Sequence, residues 1–417
     1  MSMKRSHHET LLAKAGALSP RSMRSLIRIA NAFGGMEAKM KTGGEDAIPL
    51  ASPDITHREI EAVLSVLTTS TLSLGPKLAE FENNIAKYAG TRYAVAVNSG
   101  TSALHLVIRA LGLGPGDEVI TTPFSFIASS NCILFEGAKP VFADIDPVTY
   151  NIDPGNVEEK ITPRTKAILA VDVFGQPADW KELKRIAKSH DLYLIEDSAE
   201  AIGSEYYGRK AGSLGDAGIY AFYPNKQITT GEGGVITTDD RRLAELCASM
   251  RNQGHDMASS WLEHPRLGYN YRLSDIHCAL GIAQLRRIEG MIRKRTRVAE
   301  WYDRELRRIP GLVLPNLRTP GVRTNWFVYV VRLDDAFTKK DRERVLLGLR
   351  RQGIGCREYF PAIHLQKFYR DEHGYRTGDF PVAERVSEGT LALPYHNNLR
   401  REEVRRVARV LASLLKR

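Results

Sequence analysis

The sequence predicts an α/β protein: a large domain built on a mostly parallel sheet, then a smaller C-terminal α+β domain. Two observations carry this expectation. From about residue 48, short apolar runs rich in β-branched residues alternate with stretches of helical periodicity. Such alternation belongs to a parallel sheet covered by helices on both faces, with ligand sites beyond the carboxyl ends of its strands. The second observation is a long periodic stretch, Asp275–Ile309, which reads as one or two consecutive helices leading out of that pattern. At 417 residues and 43% hydrophobic, the chain is long enough for two or three domains around at least one large core.

In chain order, residues 1–47 read as a basic N-terminal extension, with eight Lys and Arg against four acids. A short amphipathic helix fits Ser19–Phe33, with Met23, Leu26, Ile27 and Ala30 on one face. The extension reads as flexible or loosely docked, with membrane or nucleic-acid contact as the alternative. The large domain, residues 48–290, begins its alternation at the strand Tyr93–Asn98 and the helix Gly100–Leu113. Asp117–Thr122 reads as a strand, Ser125–Gly137 as a helix, and Lys139–Ile145, Lys166–Phe174 and Tyr193–Asp197 as buried strands. The helix Asp179–Asp191 precedes the last of these. The small domain, residues 291–417, has a strand near Trp326–Leu333, a helix Lys339–Gln352 stopped by Gly353, and a terminal helix Arg401–Lys416.

Composition limits the functional classes. No apolar stretch approaches a bilayer-spanning length and the N-terminus lacks a continuous apolar signal core, so a cytoplasmic protein without a membrane span is expected. Cys132, Cys247, Cys278 and Cys356 have no Cys-x-x-Cys spacing, which argues against both a zinc site and a disulfide framework. No bound metal is expected. The net charge of +10 suits a polyanionic partner, and charge alone does not separate nucleic acid, an anionic membrane and a diphosphate.

The chemistry centres on Lys226, which follows an apolar, strand-like run and sits within Ala221–Gly234, ahead of Thr-Thr-Gly-Glu-Gly-Gly. An amine on such a turn can hold an aldehyde cofactor as an imine, although a lysine read alone is a solvated surface charge. Asp197, at the end of Leu-Tyr-Leu-Ile-Glu-Asp, changes that balance, because an acid at a strand end can hold a pyridinium nitrogen. Asn98-Ser99-Gly100-Thr101-Ser102 opens a helix, so its amides and dipole can bind a phosphate with the Thr101 and Ser102 hydroxyls assisting. Alone, that motif is an ordinary helix cap. Phe126 can stack on a cofactor ring, or pack as a core phenylalanine.

Residues 48 to 417 resemble the nucleotide-sugar aminotransferases of the DegT/StrS type, within the fold type I (aspartate aminotransferase-like) enzymes that use pyridoxal 5'-phosphate. The resemblance is carried by seven motifs in family order: Leu72–Pro76, Asn98–His105, Glu196–Ala201, Gly215-Asp216, Lys226 with Thr230–Gly234, Gly268–Arg272 and Pro361–Gln366. It implies Lys226 as the imine-forming lysine, Asp197 as the pyridinium partner, Gly100, Thr101 and Ser102 at the phosphate, and Phe126 against the ring. It also implies that Asn270 reaches the neighbouring subunit's cofactor phosphate, giving a homodimer with shared active sites. His364 is expected to line the sugar pocket.

Two positions depart from the commoner pattern. Ala221 stands where many members have a phosphate-binding Ser, which removes one hydrogen bond. Glu200 stands where many have Gln or His near the cofactor's phenolic oxygen, and a carboxylate there is expected to have a raised pKa. The implied reaction moves an amino group from L-glutamate to a keto carbon, C4 by resemblance to the perosamine synthase branch, of a nucleotide-linked keto-deoxysugar. No nucleic acid is expected as a partner. The rivals are a dehydratase of the same fold, which would carry His in place of Lys226, a cyclitol aminotransferase, and a regulatory or nucleic-acid-binding protein on an inactive scaffold.

Overall fold

A computed structural model describes residues 47–256, 260, 262–316 and 319–416, so the expected Ser19–Phe33 helix lies outside the described residues. Its largest element is a seven-stranded sheet formed by β1 (Tyr93–Val97), β2 (Glu118–Thr121), β3 (Lys139–Phe142), β4 (Thr165–Val171), β5 (Tyr193–Asp197), β8 (Ala217–Ala221) and β9 (Gly234–Thr238). β6 (Glu205–Tyr206) and β7 (Arg209–Lys210) form a small hairpin between β5 and β8. The sheet order is β1-β9-β8-β5-β4-β2-β3. Neighbours from β3 to β8 run parallel, whereas β9 is antiparallel to both β8 and β1.

The sheet is buried on both faces, and β4 shows why its sequence lacks polar alternation. Ala167, Leu169 and Val171 join one apolar cluster while Ile168 and Ala170 join another, as side chains alternate across a pleated strand. Each large side chain so buried contributes about 1.5–3 kcal/mol. All four cysteines are buried and unpaired.

Several elements are shorter than the sequence pattern suggests, each for a local reason. The helix expected over Ser125–Gly137 spans Ala128–Phe135, because residues before it form a turn in which the Phe124 N–H bonds the Thr122 hydroxyl. The strand expected over Lys166–Phe174 ends at Val171, and the chain then turns sharply through Phe174 (φ 58°) and Gly175 (φ 90°). A side chain at Gly175 would meet the carbonyl of Glu200 at 2.9 Å, so glycine is required there twice over.

The stretch Asp275–Ile309 is two helices, Asp275–Leu285 and Ile288–Leu306. Beyond them, β10 (Leu312–Val313), β12 (Tyr329–Leu333) and β13 (Thr390–Leu393) form a three-stranded antiparallel sheet, and β11 (Val322–Arg323) pairs with β6. Helices Lys339–Arg351 and Arg401–Leu415 share one apolar cluster with β12 and β13, and Ile48 packs in that same cluster. Among the described residues no helix is long and apolar enough to cross a membrane.

One carboxylate joins two helices below the sheet. Asp275 accepts the N–H groups of Gly75 (2.8 Å) and Lys77 (3.0 Å), the exposed donors at the start of the helix Pro76–Ala89. Replacing Asp275 by Ala is expected to lower unfolding free energy by about 1–3 kcal/mol, measured by urea denaturation, with Asp275→Asn retaining part of it.

Candidate active site

The carboxyl ends of β5 and β8 and the start of the helix Gly100–Ala110 open onto one cavity of about 570 Å³. Lys226 reaches it from the loop between β8 and β9. That loop is closed by backbone bonds from Phe222 N to Gly233 O (2.9 Å) and Lys226 N to Tyr223 O (2.9 Å). The Lys226 amine stands 3.4 Å from Glu200 Oε1 and 4.1 Å from the centre of the Phe327 ring.

Asp197 is the last residue of β5 and is 4% exposed. Its Oδ2 accepts from the Ser129 hydroxyl (2.7 Å) and its Oδ1 from the Ala199 N–H (3.1 Å). Burial pushes its carboxyl up, against the lowering effect of those two donors and of Lys226. Glu200 is equally buried, and its Oε2 accepts the Phe174 N–H at 3.0 Å. Burial pushes Glu200 up as well, the direction expected for it, with Lys226 the largest opposing influence.

The helix start is pre-arranged for an anion. The Ser99 hydroxyl takes the Ser102 N–H (3.0 Å), leaving the N–H groups of Gly100 and Thr101 without an acceptor among the described residues. Position 100 must be glycine, because a Cβ there would lie 2.7 Å from that of Ala221. Thr101, Ala221 and Phe126 line the cavity, and the Phe126 ring is 61% exposed instead of packed in the core; Phe124, two residues earlier, takes the core position.

Ser102 is placed differently from the sequence expectation. Its hydroxyl donates to Asn98 Oδ1 (2.7 Å) and lies 2.8 Å from Ser99 Oγ, so it tightens the cap and does not line the cavity. Asn270 is exposed and lies outside this chain's own cavity. The expectation for His364 is corrected: the ring is fully buried, its Nε2 bonded to Glu384 (2.9 Å) and its edge against Phe380. Tyr359, Phe360 and Pro361 of the same segment form the cavity wall instead. Pro361 opens the Pro361–Gln366 motif, whereas sequence reasoning missed Tyr359, Phe360 and Ser129; only proximity to that motif hinted at the first two.

Residues 53–412 match the model of the DegT/DnrJ/EryC1/StrS aminotransferase family. The chain belongs to this family. It is 40% identical to GDP-perosamine synthase of Caulobacter vibrioides over 88% of this chain and 98% of that one. The spore coat polysaccharide biosynthesis protein SpsC of Bacillus subtilis is 38% identical, over 88% of this chain and 97% of its own. The fold matches a putative sugar aminotransferase, Spr1654 of Streptococcus pneumoniae, at 28% identity and a TM-score of 0.84, over 88% of this chain and 98% of that one. That protein's structure is solved in pyridoxamine and pyridoxal phosphate forms.

This member of the family is a sugar aminotransferase with the fold type I architecture, and its cofactor is pyridoxal phosphate. The residues present fit that group: an amine, a buried carboxylate and two free helix-start N–H groups face one cavity.

Glu200 binds its proton more tightly in the folded protein than in the unfolded chain. Stability from this proton is complete below the ordinary glutamate range and is lost as pH rises toward the folded-state value. The cofactor-free Glu200→Gln variant is therefore expected to gain stability over wild type as pH rises above the ordinary glutamate range of about 4, measured as the difference in denaturant midpoints.

Proposed function

We propose that this enzyme transfers the amino group of L-glutamate to the C4 keto carbon of a nucleotide-linked keto-deoxysugar, acting as a homodimer with shared sites. The observation that carries the reading is one amine, Lys226, set 3.4 Å from the buried Glu200 and sharing with the buried Asp197 a cavity that opens on a helix start. The relation to GDP-perosamine synthase and the likeness of Thr229–Gly234 and Pro361–Gln366 to C4-acting members support the choice of acceptor.

Bound pyridoxal phosphate supplies the electron sink and carries the amino group between the two half-reactions. Lys226 would hold the cofactor through its Nζ and, as a free amine, would serve as general base and acid for proton transfer at the substrate carbon. Asp197 keeps the pyridine nitrogen protonated; its Ser129 and Ala199 donors hold the carboxylate in place and favour its ionised form. Burial pushes the Glu200 carboxyl up, and in its protonated form it would donate toward the phenolic oxygen and avoid the repulsion that a second carboxylate would bring. Gly100 and Thr101 hold the phosphate through their free N–H groups, and Phe126 covers the ring.

The cavity wall includes Asp197, Glu200, Glu232 and Glu358 against Lys226. A site with that balance needs further cationic or neutral donors before it can hold a cofactor phosphate and a nucleotide diphosphate together. Asn270 and its segment, exposed on the neighbouring subunit, supply part of them in this reading.

Incubation with L-glutamate and a panel of nucleotide-linked 4-keto-6-deoxysugars, following 2-oxoglutarate release and product mass, tests the reaction. An amino sugar is expected from at least one of them, and reaction only with a keto-cyclitol would overturn the acceptor class. Restoring the missing phosphate donor by Ala221→Ser is expected to tighten cofactor binding about three- to tenfold in an absorbance titration.

A further inference from the structure

One cluster, centred on the buried His105, joins the helix Gly100–Ala110 to the segment that presents Asn270. His105, on the helix Gly100–Ala110, is 5% exposed and uses both ring nitrogens: Nε2 lies 2.6 Å from Glu136 Oε1 and Nδ1 lies 3.1 Å from the Tyr271 hydroxyl. Glu136 also accepts from Arg109 of the same helix (2.6 Å) and from the Tyr269 hydroxyl (3.0 Å). Burial works to raise the Glu136 carboxyl, but the bonds from His105, Tyr269 and Arg109 outweigh it and keep it below the usual range. An ionised Glu136 makes Nε2 of His105 a donor, and Nδ1 lies within bonding distance of the Tyr271 hydroxyl.

The partner segment is an extended strip pinned along both edges. Tyr271 O accepts from Asn98 N, Tyr271 N donates to Arg251 O, and Tyr269 O accepts from Gln253 N. In extended chain, alternate side chains face opposite ways. Tyr269 and Tyr271 turn inward, stacked at 4.9 Å with 10° between planes, and their rings lie 4.8 and 5.9 Å from that of His105. Asn270, between them, is exposed on the other side.

We propose that His105 is a positioning residue for the neighbouring subunit's active site, aiming Asn270 across the interface by holding the two tyrosines through Glu136 and the Tyr271 hydroxyl. This inference rests on the shared-site reading proposed above. It assigns His105 an effect in trans, although the residue lies on the helix that binds phosphate in its own subunit. A residue that merely stabilised that helix would act in cis.

Mixed dimers purified through two tags separate these alternatives. In each, one subunit carries Lys226→Ala, so that only the other subunit's pocket develops the visible absorbance of lysine-bound cofactor during titration with pyridoxal phosphate. His105→Leu placed on the Lys226→Ala subunit is expected to weaken binding about tenfold; on the lysine-bearing subunit it should leave binding within about twofold. His105→Gln, whose amide reaches Glu136 as Nε2 does, should restore most of the affinity. Tyr271→Phe removes a single hydroxyl and carries the same test if the leucine variant does not fold, with about threefold weakening in the same placement. Loss that follows the lysine-bearing subunit, or equal or absent loss in both placements, would overturn the proposal. Asn270→Ala on the Lys226→Ala subunit serves as the control. Weakening there with no effect of His105 overturns this inference alone, and no weakening there overturns the shared-site reading as well.

Discussion

Two carboxyl groups held out of water at the carboxyl end of β5, with one cavity amine reaching toward them, are the constraint that the rest of the structure serves. Asp197 and Glu200 are each close to fully buried, and removing a carboxylate from water costs several kcal/mol unless hydrogen bonds and an opposite charge offset it. The structure supplies both. Ser129, Ala199 and Phe174 donate to the two side chains, and Lys226 lies against Glu200. Each donor comes from a different element, so the trio exists only when the sheet and its connecting loops are assembled.

A second pair of acids makes the end of β5 rigid. Glu196 points away from the cavity side, as strand alternation requires of the residue next to Asp197, and accepts the N–H groups of Gly212, Leu214 and Gly215. Asp172 accepts from Ala178 N and Trp180 Nε1, and the Ser198 hydroxyl lies within bonding distance of both acids. Burial, together with the charge of Glu196, pushes Asp172 up; burial likewise pushes up Glu196. The pair ties the chain on both sides of Asp197 to the ends of two neighbouring connections. The backbone that carries Asp197 into the cavity is therefore held from both sides.

The alternating strand and helix order was legible in the sequence because buried parallel strands leave unbroken apolar runs. Lys226, Asp197 and the Gly100–Thr101 helix start were legible because strand ends and glycine-rich turns mark where such sheets place ligands. Other features depend on contacts between distant segments. β9 inserts antiparallel between β1 and β8, a pairing that no local pattern encodes. Tyr359 to Pro361 come to the cavity from more than a hundred residues downstream. His364 belongs to the same motif, yet its ring turns away because Glu384, twenty residues later, offers it a buried partner. Ser102 has the right residue type beside a helix start open to an anion, but Asn98 and Ser99 take its hydroxyl. In each case the residue type was readable, and the direction of its side chain was set by a neighbour remote in sequence or by competition within a cap.

The most direct measurement of the central claim is the position of the cofactor on the chain. Protein loaded with pyridoxal phosphate, reduced with borohydride and digested should carry the added group on the peptide containing Lys226, and the Lys226→Ala protein should carry none. Attachment at another lysine, or a loaded protein that reduction leaves unmodified, would contradict the account of one cavity amine set against Glu200 and facing the end of β5.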